Sequence, residues 1–88
     1  MDRDHRLRRC KFRAWHRGTR EADFVIGGFF DRYGADWSDR EIAWFEALLD
    51  EQDADVLAWA MGSVAPDPRF SGAQMIALQR LDYVIVPR

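Results

Sequence analysis

The clearest pattern along the chain is a broad apolar stripe. Ala22, Val25, Ile26, Phe29, Phe30 and Tyr33 fall at i, i+3, i+4, i+7, i+8 and i+11, the spacing of one helix face. It predicts a helix from about Thr19 to Tyr33, ended by Gly34. Glu21 and Asp23 in its first turn suit the positive end of the helix dipole. Gly27-Gly28 inside it cost roughly 1 kcal/mol each relative to alanine. The pair therefore either lets another helix approach closely or marks a bend.

Weaker copies of this pattern flank it. Leu7, Cys10 and Ala14 share a face over residues 4–15, with arginines on the rest, which predicts a first helix with Asp4 as its N-cap. Gly18 is the expected stop, because glycine reaches positive φ without penalty. Downstream, Ser38-Asp39-Arg40-Glu41 has the form of a capping box. It opens a third helix to about Asp50, with Ile42, Phe45, Leu48 and Leu49 inward and Trp44 and Ala47 widening the stripe. Asp53 is expected to cap a short fourth helix that turns Val56, Leu57, Ala60 and Met61 to one side, with Trp59 beside them, and closes at Gly62. Pro66-Asp67-Pro68 forbids helix. A fifth begins near Ser71 with Met75, Leu78, Leu81 and Ile85 at helical spacing; its end, Tyr83-Val84-Ile85-Val86, could instead be extended, and Pro87 stops it. The fold class is all-α, a compact bundle of about five short helices, and residues 1–88 form a single domain.

Composition sharpens this picture at three points. Four tryptophans and six phenylalanines give a short chain a large-residue core. The single cysteine, Cys10, permits no disulfide framework and demands no oxidising compartment. The net charge of −2 hides a separation. Residues 1–20 hold eight arginines and lysines against two aspartates, a net of +6; residues 36–55 hold eight acids against Arg40, a net of −7. The halves can pair with each other or present opposite fields to a partner. No stretch approaches the ~20 apolar residues of a membrane span. The arginine-rich start resembles a transit peptide in composition, but it runs straight into the second helix, so it reads as part of the mature domain. The expected location is the cytoplasm.

The joint between the first two helices, His16-Arg17-Gly18-Thr19-Arg20-Glu21-Ala22-Asp23, concentrates charge where no apolar pattern asks for it. One reading is purely local: Gly18 turns the chain, Thr19 caps, and Glu21 answers the dipole. The other is a protein-docking corner. There a bare backbone at Gly18 admits a partner, Arg17 and Arg20 hold carboxylates, and Glu21 answers a cation. The two are compatible.

This run resembles the Arg-Gly-x-x-Glu signature of the flavin assembly factors of succinate dehydrogenase, whose mitochondrial relatives are called succinate dehydrogenase assembly factor 2. Leu48-Leu49 and Asp53-Ala54-Asp55-Val56-Leu57-Ala58-Trp59 extend the resemblance, being similar to that family's Asp-x-Asp-Leu-x-x-Trp segment, with Val56 where leucine is commoner. The likeness covers most of residues 9–61. It implies a non-enzymatic helper that binds the flavoprotein subunit of succinate dehydrogenase, and often of fumarate reductase, and promotes covalent attachment of FAD to a histidine there. It implies partner contacts at Arg17, Gly18 and Glu21, with His16, Arg20 and Asp23 beside them. No cofactor is then bound by this chain; FAD belongs to the partner, and the working unit is a monomer.

Other constellations offer less. Arg3, Arg6, Arg8, Arg9, Lys11 and Arg13, with Phe12 and Trp15 interleaved, form a basic arm of the kind that binds nucleic acid. That supports an alternative, a small regulatory or antitoxin-like domain. A pI near 5.6 lies far below the ~9 of dedicated binders, and a solvated face or pairing with the acidic segment explains the arm as well. Asp50, Glu51, Asp53 and Asp55 lack the spacing and glycine of an EF-hand. His5, Cys10 and His16 match no zinc pattern. No nucleophile–base pair or phosphate-cradling glycine loop supports an enzyme.

Overall fold

The computed structural model describes residues 2–85. Over that span the chain forms five α-helices: α1 (Arg3–Trp15), α2 (Arg20–Tyr33), α3 (Asp39–Leu49), α4 (Asp53–Met61) and α5 (Ala73–Arg80). Single 3-10 turns at Gly34–Asp36 and Pro68–Phe70 lead into α3 and α5. The expected all-α bundle is the observed one, and no described helix is long and apolar enough to cross a membrane.

The helix starts follow capping chemistry, with two corrections. Thr19 Oγ1 accepts from the Ala22 amide at 3.2 Å. Ser38 and Glu41 close the reciprocal capping box. The cap of α1 is Asp2 rather than Asp4, its carboxylate accepting from the His5 amide at 2.7 Å. Asp53 does not cap α4 either. Gln52 occupies the cap position without a side-chain bond, because the Asp53 carboxylate is drawn away to the α1–α2 joint. Gly62 closes α4 in the left-handed region at φ 77°, as its sequence position implies.

Packing centres on Phe29, which is fully buried. Its ring lies 5.3 Å from Tyr33, 5.6 Å from Trp37, 6.0 Å from Phe45 and 5.4 Å from Tyr83, distances at which aromatic quadrupoles attract. Helix α1 packs on α2 and α3, and α4 on α5. A second aromatic group, Trp44, Trp59 and Phe70, joins α3, α4 and the second 3-10 turn. The stripes read from sequence are buried or half-buried over α1 to α4, except that Ala47 and Met61 are exposed.

The chain end departs most from expectation. Helix α5 stops at Arg80, and Leu81 turns the backbone at φ 54°, a left-handed conformation that costs a non-glycine residue about 1 kcal/mol. The turn brings Tyr83 back under the bundle, where it is buried and its hydroxyl donates to the Leu78 carbonyl at 2.6 Å. Ile85, expected on the inner face, is exposed. Residues 83–85 form neither helix nor strand; Val86, the last residue of the extended alternative, and the stop at Pro87 lie outside the described residues.

Of the two readings of Gly27-Gly28, close approach is the one observed. A Cβ on Gly27 would collide with the Trp15 indole, and one on Gly28 would stand 3.0 Å from the Tyr83 carbonyl oxygen. Gly27→Ala should therefore lower the thermal midpoint. Overpacking costs about 1–3 kcal/mol, which outweighs the roughly 1 kcal/mol that alanine adds in helix propensity. In a Trp15→Leu background the same change should lose its penalty; a penalty of equal size there would rule out the indole as its cause.

Candidate functional site

Helix α1 ends without a left-handed glycine. His16 closes it at φ −123°, and Gly18, contrary to expectation, is outside the positive-φ region. Two carboxylates take over the amides that would have continued the helix. The Arg17 amide donates to Asp23 Oδ1 at 2.7 Å, and the Gly18 amide donates to Asp53 Oδ2 at 2.9 Å. His16 folds back on α1, its ring stacked on Phe12 at 4.0 Å and its Nδ1 2.6 Å from the Phe12 carbonyl oxygen. A carbonyl can only accept, so that nitrogen carries the proton.

The Arg17 guanidinium points inward, with its side chain only 11% exposed. Its Nε donates to Asp53 Oδ1 at 2.7 Å, and its terminal nitrogens donate to the carbonyls of Leu49 at 3.0 Å and Glu51 at 3.2 Å. The end of α3 leaves carbonyls without helical partners and carries partial negative charge, and Arg17 meets both needs. Asp53, in the first turn of α4, lies at the positive end of that helix. The α1–α2 joint is thereby bolted to the α3–α4 joint.

The six residues singled out from sequence thus divide. Arg17 and Asp23 serve the joint from within. His16, Gly18, Arg20 and Glu21 are exposed. A Cβ on Gly18 would meet only Asp53 Oδ2, at 3.4 Å, an ordinary contact. Asp53 belongs to this group although sequence reasoning does not place it there. It stands 35 residues from Gly18, beyond any local spacing rule; its place in the second family-like segment is the one signal that points to it.

The basic arm is largely consumed within the fold. Arg6 pairs with Glu46 at 2.7 Å, Arg13 with Asp50 at 2.7 Å and Lys11 with Asp31 at 3.5 Å. Arg3 donates to the carbonyls of Trp37 and Ala35. Burial, reinforced by the Glu46 charge against the opposing Arg13, Arg6 and Arg9, pushes the Cys10 thiol up to about 11. It is therefore a protonated core residue at neutral pH.

A small all-α bundle that carries its charged chemistry on an exposed interhelical joint is the class these features define. A family model described as flavinator of succinate dehydrogenase matches residues 8–81, and the chain belongs to that family. It is 37% identical over 71 residues to the FAD assembly factor SdhE of Acetobacter pasteurianus, a match covering 81% of this chain and 64% of that protein. It is also 37% identical over 59 residues to the FAD assembly factor SdhE of Shewanella oneidensis, covering 66% of this chain and 72% of that protein. The match thus spans less than two thirds of the length of the Acetobacter relative.

Asp53 gives the joint a pH signature. Burial raises its pKa, but the Gly18 amide and the Arg17 guanidinium outweigh burial and hold it below the usual carboxylate range. A depressed folded-state pKa contributes stability above the unfolded value and loses it as pH falls through the folded value. Asp53→Asn should cost about 1–3 kcal/mol at pH 7, and the gap between variant and wild type should narrow below about pH 4. Urea melts at pH 7, 5 and 3 read this, and a gap constant across the series would exclude the carboxylate's charge as its source.

Proposed function

We propose that this chain is a non-enzymatic assembly factor that docks through the α1–α2 joint on the flavoprotein subunit of succinate dehydrogenase and promotes its covalent flavinylation. Family membership over residues 8–81 supports the class of function. The observation that carries the docking site is Gly18: neither its backbone conformation nor its surroundings require a glycine, yet it is exposed beside the exposed charges of Arg20 and Glu21. A bare backbone there lets another protein approach closely, and both charges are available to meet groups on it. Arg17 and Asp23 contribute by shaping that surface. His16, stacked on Phe12, extends it along α1.

The flavin chemistry belongs to the cofactor on the partner. The helper's contribution is to hold the partner in the geometry where histidine and flavin meet. On this reading the chain acts as a monomer in the cytoplasm and binds no FAD itself. A nucleic-acid role draws less support, because Arg3, Arg6, Lys11 and Arg13 of the basic arm are engaged within the chain.

A graded series at Gly18 tests the docking reading. Gly18→Ala should fold and work nearly as wild type. Gly18→Leu should fold with an unchanged melting midpoint, yet weaken capture of the flavoprotein subunit by tenfold or more, about the loss expected at an interface hot spot. Covalent flavin fluorescence of the denatured subunit after co-expression should fall in parallel. Undiminished fluorescence with Gly18→Leu would overturn the proposed site.

A further inference from the structure

Among the described residues, Asp53 is the side chain that holds both the backbone and the sheltered guanidinium of the joint. One oxygen accepts from the Gly18 amide at 2.9 Å, and the other accepts from Arg17 Nε at 2.7 Å. Arg17 in turn is fixed by the Leu49 and Glu51 carbonyls, and its own amide by Asp23. The path of residues 16–19 is thus set by groups from the α3–α4 joint and from α2. Of the exposed corner residues, Gly18 joins this bonding through its amide, while the side chains of Arg20 and Glu21 take no part in it. A docking surface whose contact residues do not hold themselves in place depends on whatever does.

We propose that Asp53 is a positioning residue for partner docking: its carboxylate presets the Arg17–Glu21 corner in the shape the partner accepts, without touching the partner itself. This rests on the docking reading above and deepens it. A corner already ordered before the encounter loses less conformational freedom on binding. Asp53 therefore acts on affinity beyond its effect on stability.

The control is the ion pair between Arg6 of α1 and Glu46 of α3, also at 2.7 Å but outside the joint. Asp53→Asn, Glu46→Gln, Gly18→Leu and Glu21→Gln are titrated against the purified flavoprotein subunit at a temperature where circular dichroism shows each folded. Asp53→Asn should bind about tenfold more weakly, within the range seen for non-contact positions, while Glu46→Gln binds as wild type. In the double variant Asp53→Asn with Glu21→Gln, the losses should be non-additive, since Asp53 works through the corner. Should Asp53→Asn not fold, Asp53→Glu keeps the charge but displaces the carboxylate by one methylene, and the same loss is expected. Full affinity in the Asp53 variant beside lost affinity in Gly18→Leu overturns this proposal alone, as does an equal loss in Glu46→Gln or strict additivity with Glu21→Gln. Full affinity in both Gly18→Leu and Glu21→Gln overturns the docking reading, and this proposal with it.

Discussion

The contact between Arg17 and Asp53 joins two helix joints that lie 36 residues apart. Alone, an ion pair this sheltered would gain little, since removing both charges from water costs about what their attraction returns. What makes the arrangement favourable is the completeness of the bonding. Arg17 also serves two carbonyls around the end of α3, and Asp53 also serves the Gly18 amide. No buried side-chain polar atom among the described residues is left without a partner. Removing either member would strand the other's polar groups, so the corner has one low-energy shape.

The same logic extends along the face of α1. Arg6 meets Glu46, Arg13 meets Asp50 and Arg17 meets Asp53. Both members of each pair rise together in number, so α1 and α3 run in the same direction, with α2 returning between them in sequence. The net +6 and −7 segments therefore meet in part across one seam. The more exposed pairs contribute little stability singly. Their value lies in register: sliding α1 and the joint after it along α3 and the start of α4 would misalign all three at once. Beneath the seam, Cys10, Ala14, Phe45 and Leu48 are buried, so the charged ladder and the apolar core specify the same alignment.

Helix order and the inward stripes are readable from sequence because both follow local rules. A period of 3.6 and the capping residues Thr19 and Ser38 act within four positions of themselves. Expectation and structure part where a distant group prevails over the local rule. Asp53 has the residue type of a cap, yet Arg17 and Gly18 take its oxygens. Gly18 has the type of a helix stop, yet carboxylates from α2 and α4 end α1 without needing positive φ. The periodicity of α5 runs on through Leu81 to Ile85, yet the aromatic site beside Phe29 draws Tyr83 inward and breaks the helix. The exposure of Arg20 and Glu21 is legible, since neither falls on the apolar stripe. The inward turn of Arg17 is not, because its acceptors lie in a segment with no local relation to it.

The glycines show how physical need separates structure from function. Gly27 is required by an indole that would collide with any side chain, and Gly62 by a backbone at φ 77°. Replacing either penalises the folded state directly. Gly18 meets neither condition: its conformation is open to other residues, and its surroundings have room. A glycine there still carries the entropy cost of ordering the most flexible residue type, at the point where two carboxylates and an arginine work to keep the chain fixed. That cost has no return inside the chain. It has one outside it, if a second protein must lie against the bare backbone between Arg17 and Thr19. The fold then supplies the rigidity that the glycine gives up.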